Sequence, residues 1–142
     1  MTGAKELAAA FRNIAPGLDA PINASLRKAL RPMLAAAKRN TKHKRIRKAL
    51  VIKTDRTARK DRPTAVIGGN PKNPDYRLLH LSEFGTKPHK IGDWMHPGAK
   101  AEPFLRPAFE EKKDETIKIL GEEIGPAIEK QAAKVAAKRA KK

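Results

Sequence analysis

The sequence has no cysteine and few rings, with one Trp, one Tyr and four Phe in 142 residues. Without cysteine, disulfide stapling, thiol catalysis and cysteine-based zinc sites are excluded. The core must come from Leu, Ile, Val and Ala. Long apolar runs are also missing. The opening stretch "MTGAKELAAAFRNIAPG" has neither the length of a membrane span nor the pattern of a secretory signal. It reads as an amphipathic helix, made in the cytosol. Glycine-rich phosphate loops, zinc-finger patterns and RNA-recognition signatures are absent. One Tyr and one Trp are too few to stack single-stranded bases.

Negative charge is scarce. Fifteen Asp and Glu stand against 32 Lys and Arg, for a formal net charge of +17. Such a surface attracts polyanions and slows self-association. Nucleic acid, an acidic protein face and anionic lipid are all compatible partners, and charge alone does not choose among them.

What is present is helical periodicity, interrupted once by strands. Leu7, Ala8, Phe11 and Ile14 share a helical face, which Pro16 and Gly17 end. Asp19 can cap a second helix with Pro21 in its first turn. Leu26, Leu30, Met33, Leu34 and Ala37 continue an apolar stripe, and Pro32 should kink that helix near Lys28 or split it. The basic run "KRNTKHKRIRK" (38–48) follows. "ALVIKT" (49–54) and "TAVIGG" (64–69) read as two short strands forming an antiparallel hairpin. "GGNPKNPD" reads as a loop. "YRLLHLSEFGT" fits a strand buried on both faces and a short helix equally well. From Pro107 a long helix carries the stripe Ile117, Leu120, Ile124, Ile128 and Val135, with a bend expected at Gly125–Pro126. The order predicts an α+β fold: a small antiparallel sheet of three to four strands, flanked by N-terminal helices and a long C-terminal helix. A single domain, 1–142, is expected, with 126–142 as a basic helical extension.

The stretch 82–111 concentrates the only Trp, two of four His and three of four Phe. His80, Glu83, His89, Asp93 and His96 are potential metal ligands, yet only "HLSE" is tightly spaced and the rest crosses a loop. General acid–base work needs a His held by a buried carboxylate, and nothing here requires one. Gly85 permits a positive φ, the Thr86 hydroxyl can close a turn, and Glu83 can accept bonds from that turn or from an Arg of a neighbouring chain. Phe104, Leu105 and Phe109 can clamp the following helix onto the sheet. No catalysis is demanded and no cofactor is implied.

"LSEFGT", then a loop, then "AEPFLRPAFEE" resembles the tail-component family of long-tailed bacteriophages typified by gene ten of a Hong Kong lambdoid phage. Members are neck, head–tail connector or tail-completion proteins. The matching positions are Glu83–Thr86 and Ala101–Ala108, and the looser likeness extends over roughly residues 20–125. The loop "KPHKIGDWMHPGAK" is longer than the short linker usual in the family, and Trp94 and Met95 can sit on an extended hairpin. The resemblance implies a non-enzymatic virion protein at the head–tail junction, assembled in the bacterial host cytoplasm. Its partners would be copies of itself in a ring, usually a hexamer, the head-side connector or stopper, and tail terminator or tube proteins. Genomic DNA would pass through the lumen, and no membrane is involved. The expected subunit or partner interface is Glu83, Phe84, Gly85, Thr86, Ile91, Trp94, Met95, Phe104 and Arg106. Trp and Met are enriched in interface cores, which favours Trp94 and Met95 as anchors. The expected DNA-facing residues are Lys42, Lys44, Arg45, Arg47, Lys48, Arg56, Arg59 and Lys60. A nucleoid-like, sequence-independent DNA-binding protein is the alternative, and a His/Glu metal hydrolase a third class.

Overall fold

A computed structural model describes residues 17–54 and 64–140. The expected helix at 4–14 and the basic positions Arg56, Arg59 and Lys60 lie outside the described residues. Three helices come first: α1 (Asp19–Ala29), α2 (Arg31–Asn40) and α3 (Lys44–Ala49). The strands β1 (Leu50–Thr54) and β2 (Ala65–Gly69) follow. A 3₁₀ turn (Pro74–Arg77) leads into α4 (Leu78–Phe84), the strands β3 (His89–Ile91) and β4 (Trp94–His96), and α5 (Leu105–Ala140). The α+β class is as expected, with a long C-terminal helix and helices ahead of the strands. The four described strands form two separate antiparallel pairs, β1–β2 and β3–β4, rather than one sheet.

The chain divides into two compact units. One unit holds α1 and α5 from Ile117 onward. Here Ser25 Oγ lies within donating reach of Pro21 O at 3.1 Å and Glu123 O at 3.4 Å. Lys28 pairs with Glu123 through its ammonium. Leu120, Ile124, Ile128 and Val135 are half-buried, as their helical spacing requires, while Ile117 is 67% exposed and takes no part in the stripe. The helix runs through Gly125 and Pro126 without interruption, so the residues after 125 continue α5.

The other unit holds Leu30–Lys53 and Val66–Thr116. Its core is Met33, Ala36 and Ala37 from α2, Ile46 and Ala49 from α3, with Leu50, Leu79, Phe104 and Ala108. Ala36, Ala37, Ala49 and Ala108 are 0% exposed, so the backbones approach closely around few large side chains. Phe104, at 1%, and Leu50, at 0%, are the large ones. The stripe from Leu26 to Ala37 is broken at Leu30 because Pro32 occupies the first turn of α2. Proline lacks the N–H that would continue the ladder and its ring collides with the carbonyl four residues back.

The ambiguous segment before Gly85 is helical. Leu79 and Glu83, four apart, are buried, whereas Leu81 is 43% exposed. A strand would have put Leu79, Leu81 and Glu83 on one face. Asn73 starts the segment: its side-chain oxygen accepts from Asp75 N at 2.9 Å, and Pro74 occupies the first helical position. No described helix is long and apolar enough to cross a membrane.

Candidate functional site

The two motifs of residues 82–111 meet through one carboxylate. Glu83 is 7% exposed and turned onto the start of α5. Its Oε2 accepts from Phe104 N at 2.8 Å and Leu105 N at 2.9 Å, and its Oε1 from Arg106 N at 3.1 Å. A helix begins with four N–H groups that have no partner inside it. Here three are taken by Glu83 and the next residue, Pro107, has none to satisfy. The first turn of α5 contains no acid of its own. The negative charge favoured at a helix N-terminus therefore comes from the end of α4. Glu102 N donates to Ser82 O at 2.8 Å and ties the same two segments together.

Between them rises a hairpin. Its turn is Gly92–Asp93, with Gly92 at φ 60° and no non-glycine residue at positive φ, the pattern of a type II′ turn. The cross-strand pairs are His89 with His96, Lys90 with Met95 and Ile91 with Trp94. Side chains alternate between faces along a strand. Ile91, Trp94, His89 and His96 thus share one face, and Met95 lies on the other with Lys90. The rings agree: Trp94 meets His96 edge-on at 5.5 Å between centroids, and His89 and His96 are 5.0 Å apart.

The hairpin narrows at a base held by backbone. Thr86 N donates to Ala99 O at 2.8 Å and Ala99 N to Thr86 O at 3.0 Å. Gly85 has φ 70° and Gly98 φ 82°. A Cβ on Gly98 would stand 2.2 Å from Thr86 O, and one on Gly85 would stand 2.6 Å from Ala99 O. Only glycine fits either crossing. His96 Nδ1 accepts from Gly98 N at 3.0 Å, and His89 Nδ1 donates to Lys87 O at 2.9 Å. Each bond fixes a ring orientation.

This geometry separates the expected interface residues. Ile91, Trp94 and Met95 are 43%, 55% and 65% exposed, and Phe84 is 69% exposed beside the His80 ring at 5.0 Å. The Arg106 side chain is exposed as well. Glu83 and Phe104 are corrections: both are buried within the subunit, the first as a helix cap and the second as the main core ring, so neither offers a contact to another chain. Gly85 and Thr86 serve the hairpin base. Phe109 does not clamp the helix. It is 50% exposed, and Ala108, four residues after Phe104, takes the buried position.

The basic helix α3 turns Ile46 and Ala49 inward and Lys44, Arg45, Arg47 and Lys48 outward. Arg45 is bonded to Asp75 at 2.5 Å, a contact that also raises the pKa of its guanidinium. Arg47 donates to Thr41 O at 2.9 Å. Lys42, Lys44 and Lys48 are exposed and unpaired among the described residues. His80, Glu83, His89, Asp93 and His96 do not converge, and no cluster of three potential ligands occurs among the described residues. The Glu83 cap was missed in the sequence, although one signal for it was there. "PFLRPAF" starts a long helix without Ser, Thr, Asp or Asn at its cap, so the acceptor had to come from elsewhere.

Comparison with known proteins gave no matching family model, no similar curated protein and no similar solved structure.

Proposed function

We propose that this chain is a non-enzymatic structural subunit of a ring at the head–tail junction of a long-tailed phage particle, located in the neck or tail of the virion. It meets copies of itself, a head-side connector or stopper, and tail terminator or tube proteins. The observation carrying this reading is the hairpin. It presents Ile91 and Trp94 on one exposed face, and its base is braced by the two motifs that the family shares. Exposed apolar side chains on a rigid projection suit docking. A ring needs one face of a subunit to meet a different face of the next, and a projecting tip supplies one such face.

The test is Trp94→Ala in native mass measurement with purified connector and terminator rings. We expect lost or weakened ring formation, with the monomer melting as before. Assembly equal to that of the parent would reject the hairpin's role.

A second reading is favoured by one specific feature, the unpaired cations Lys42, Lys44 and Lys48 around α3. These suit sequence-independent phosphate contact, either with DNA in a ring lumen or with duplex in a nucleoid-like role. A gel-shift titration against salt separates the two. Tight duplex binding at physiological salt, by a chain that forms no ring with partners, favours the nucleoid-like role.

A further inference from the structure

Beside the hairpin base lies an open groove of about 770 Å³, lined from α3, α4, the hairpin residues His89 and His96, and the segments flanking β3 and β4. Its floor is aliphatic: Ile46, Leu78 and Leu81. Leu81 is 43% exposed there, although α4 could have offered a polar residue at no cost to the core. The rim is basic, with Lys44, Arg45 and Lys100. Lys44 and Lys100 are unpaired among the described residues, while Arg45 already holds Asp75. The one lining carboxylate, Glu102, lies 3.1 Å from His43 Nε2. An apolar floor enclosed by unpaired cations is complementary to a segment that is apolar on one side and acidic on the other.

We propose that this groove binds an acidic, leucine-bearing segment of a partner protein. The apolar side chains of the segment cover Leu78 and Leu81, and its carboxylates meet Lys44 and Lys100. A second copy of this chain is a poor occupant, because its net charge of +17 sets two copies in mutual repulsion. Duplex DNA is a poor occupant too. Its phosphates would reach the rim cations but leave the leucine floor uncovered. The proposal does not depend on the ring reading: Ile91 and Trp94 do not line the groove, although His89 and His96 on the same hairpin face do.

The test selects peptides of about twelve residues from a random display library on the full chain. Enriched peptides are then measured by fluorescence anisotropy. Two variants address the two halves of the groove: Leu81→Asn for the floor, and Lys44→Glu with Lys100→Glu for the rim. Met95→Ala, on the opposite face of the hairpin, is the control outside the groove. We expect enrichment of Asp and Glu alternating with Leu, Ile or Phe. Each groove variant should weaken binding roughly tenfold or more, the loss that follows from one uncovered leucine or two reversed charges. Binding should weaken as NaCl rises from about 50 to about 500 mM, because the rim charges are screened. Should Leu81→Asn not fold, the lysine pair, which is exposed, still decides. Several results overturn the proposal: no enrichment, enrichment of neutral or basic peptides, or enriched peptides that ignore both groove variants. Binding that survives replacement of every apolar residue in the peptide by Ser also overturns it, since that is generic polyanion attraction. So does duplex DNA that binds more tightly than the peptides and depends on Leu81.

Discussion

Replacing Glu83 by Ala removes the acceptor for three backbone donors at once. The amide of Phe104 is buried, while those of Leu105 and Arg106 are partly open to water. Leaving the buried donor unsatisfied costs about 1–3 kcal/mol. The two half-open amides recover water, and their loss resembles that of an ordinary helix cap, about 1 kcal/mol. Together these give about 3 kcal/mol, a large share of the ~5–15 kcal/mol that holds a typical domain. For a chain of this length the corresponding fall in Tm is about 10 °C. Glu83→Gln should cost less, about 2 kcal/mol. It keeps one oxygen for Phe104 and Leu105, loses the charge at the positive helix end, and turns an NH2 group toward the Arg106 amide.

Urea unfolding gives the free energies, followed by far-UV circular dichroism and by the fluorescence of Trp94, which lies in the same unit as Glu83. Hydrogen exchange supplies a local check. The amides of 104–106 should exchange faster in both variants, while those of Ala36 and Ala37 in α2 change only with global stability. The reasoning is refuted if Glu83→Ala costs less than about 1 kcal/mol, a value typical of a solvated surface carboxylate. Unchanged exchange at 104–106 would refute it as well.

Gly98→Ala should destabilise the hairpin base by about 3 kcal/mol, since it combines a left-handed φ with a Cβ on the Thr86 carbonyl. Gly92→Ala has the same kind of φ but open space around it, and should cost about 1 kcal/mol. Equal losses in urea melts would show that the crossing at Thr86 is not sterically tight. Phe104→Ala should cost about 3–5 kcal/mol by emptying the core, whereas Phe109→Ala should cost under about 1 kcal/mol. The reverse order in thermal melts would place the wrong ring in the core.

Local pattern carried much of this fold. Helical stripes located α1, α2 and α5, and Pro32 pointed to a kink near Lys28 or a split, of which the split is found, at Leu30. One segment stayed open and one reading failed, both on local signals. The segment at 78–84 fits strand and helix alternation alike, and the signal that resolves it is Asn73–Pro74–Asp75. That triplet reads as loop, yet it is a side-chain cap followed by a proline in the first helical position. The reading of Phe109 as a clamp beside Phe104 and Leu105 fails because a spacing of five residues leaves a helical face and a spacing of four, to Ala108, keeps it. Glu83 lies about twenty residues before the helix it caps, and no periodicity reports a contact of that kind. The groove was equally illegible. Its floor and rim come from three segments, and no single one of them looks like a site.

The hairpin separates what holds the subunit together from the surface proposed for docking. An isolated two-stranded ribbon is marginal in water. With three residue pairs, β3–β4 could not hold its shape alone. What holds it is the base: the Thr86–Ala99 bonds, the Ser82–Glu102 bond and the Glu83 cap, all backbone or buried contacts. Beyond the base, Ile91, Trp94 and Met95 leave 43%, 55% and 65% of their surface exposed. A sequence under pressure for solubility alone would place polar residues at such positions. Large apolar side chains there are a cost to the free chain, and it is offset only where another surface covers them. Because Ile91 and Trp94 share one face and Met95 lies on the opposite one, a flat partner can cover the first pair or the methionine. A cleft that grips the tip from both sides covers all three.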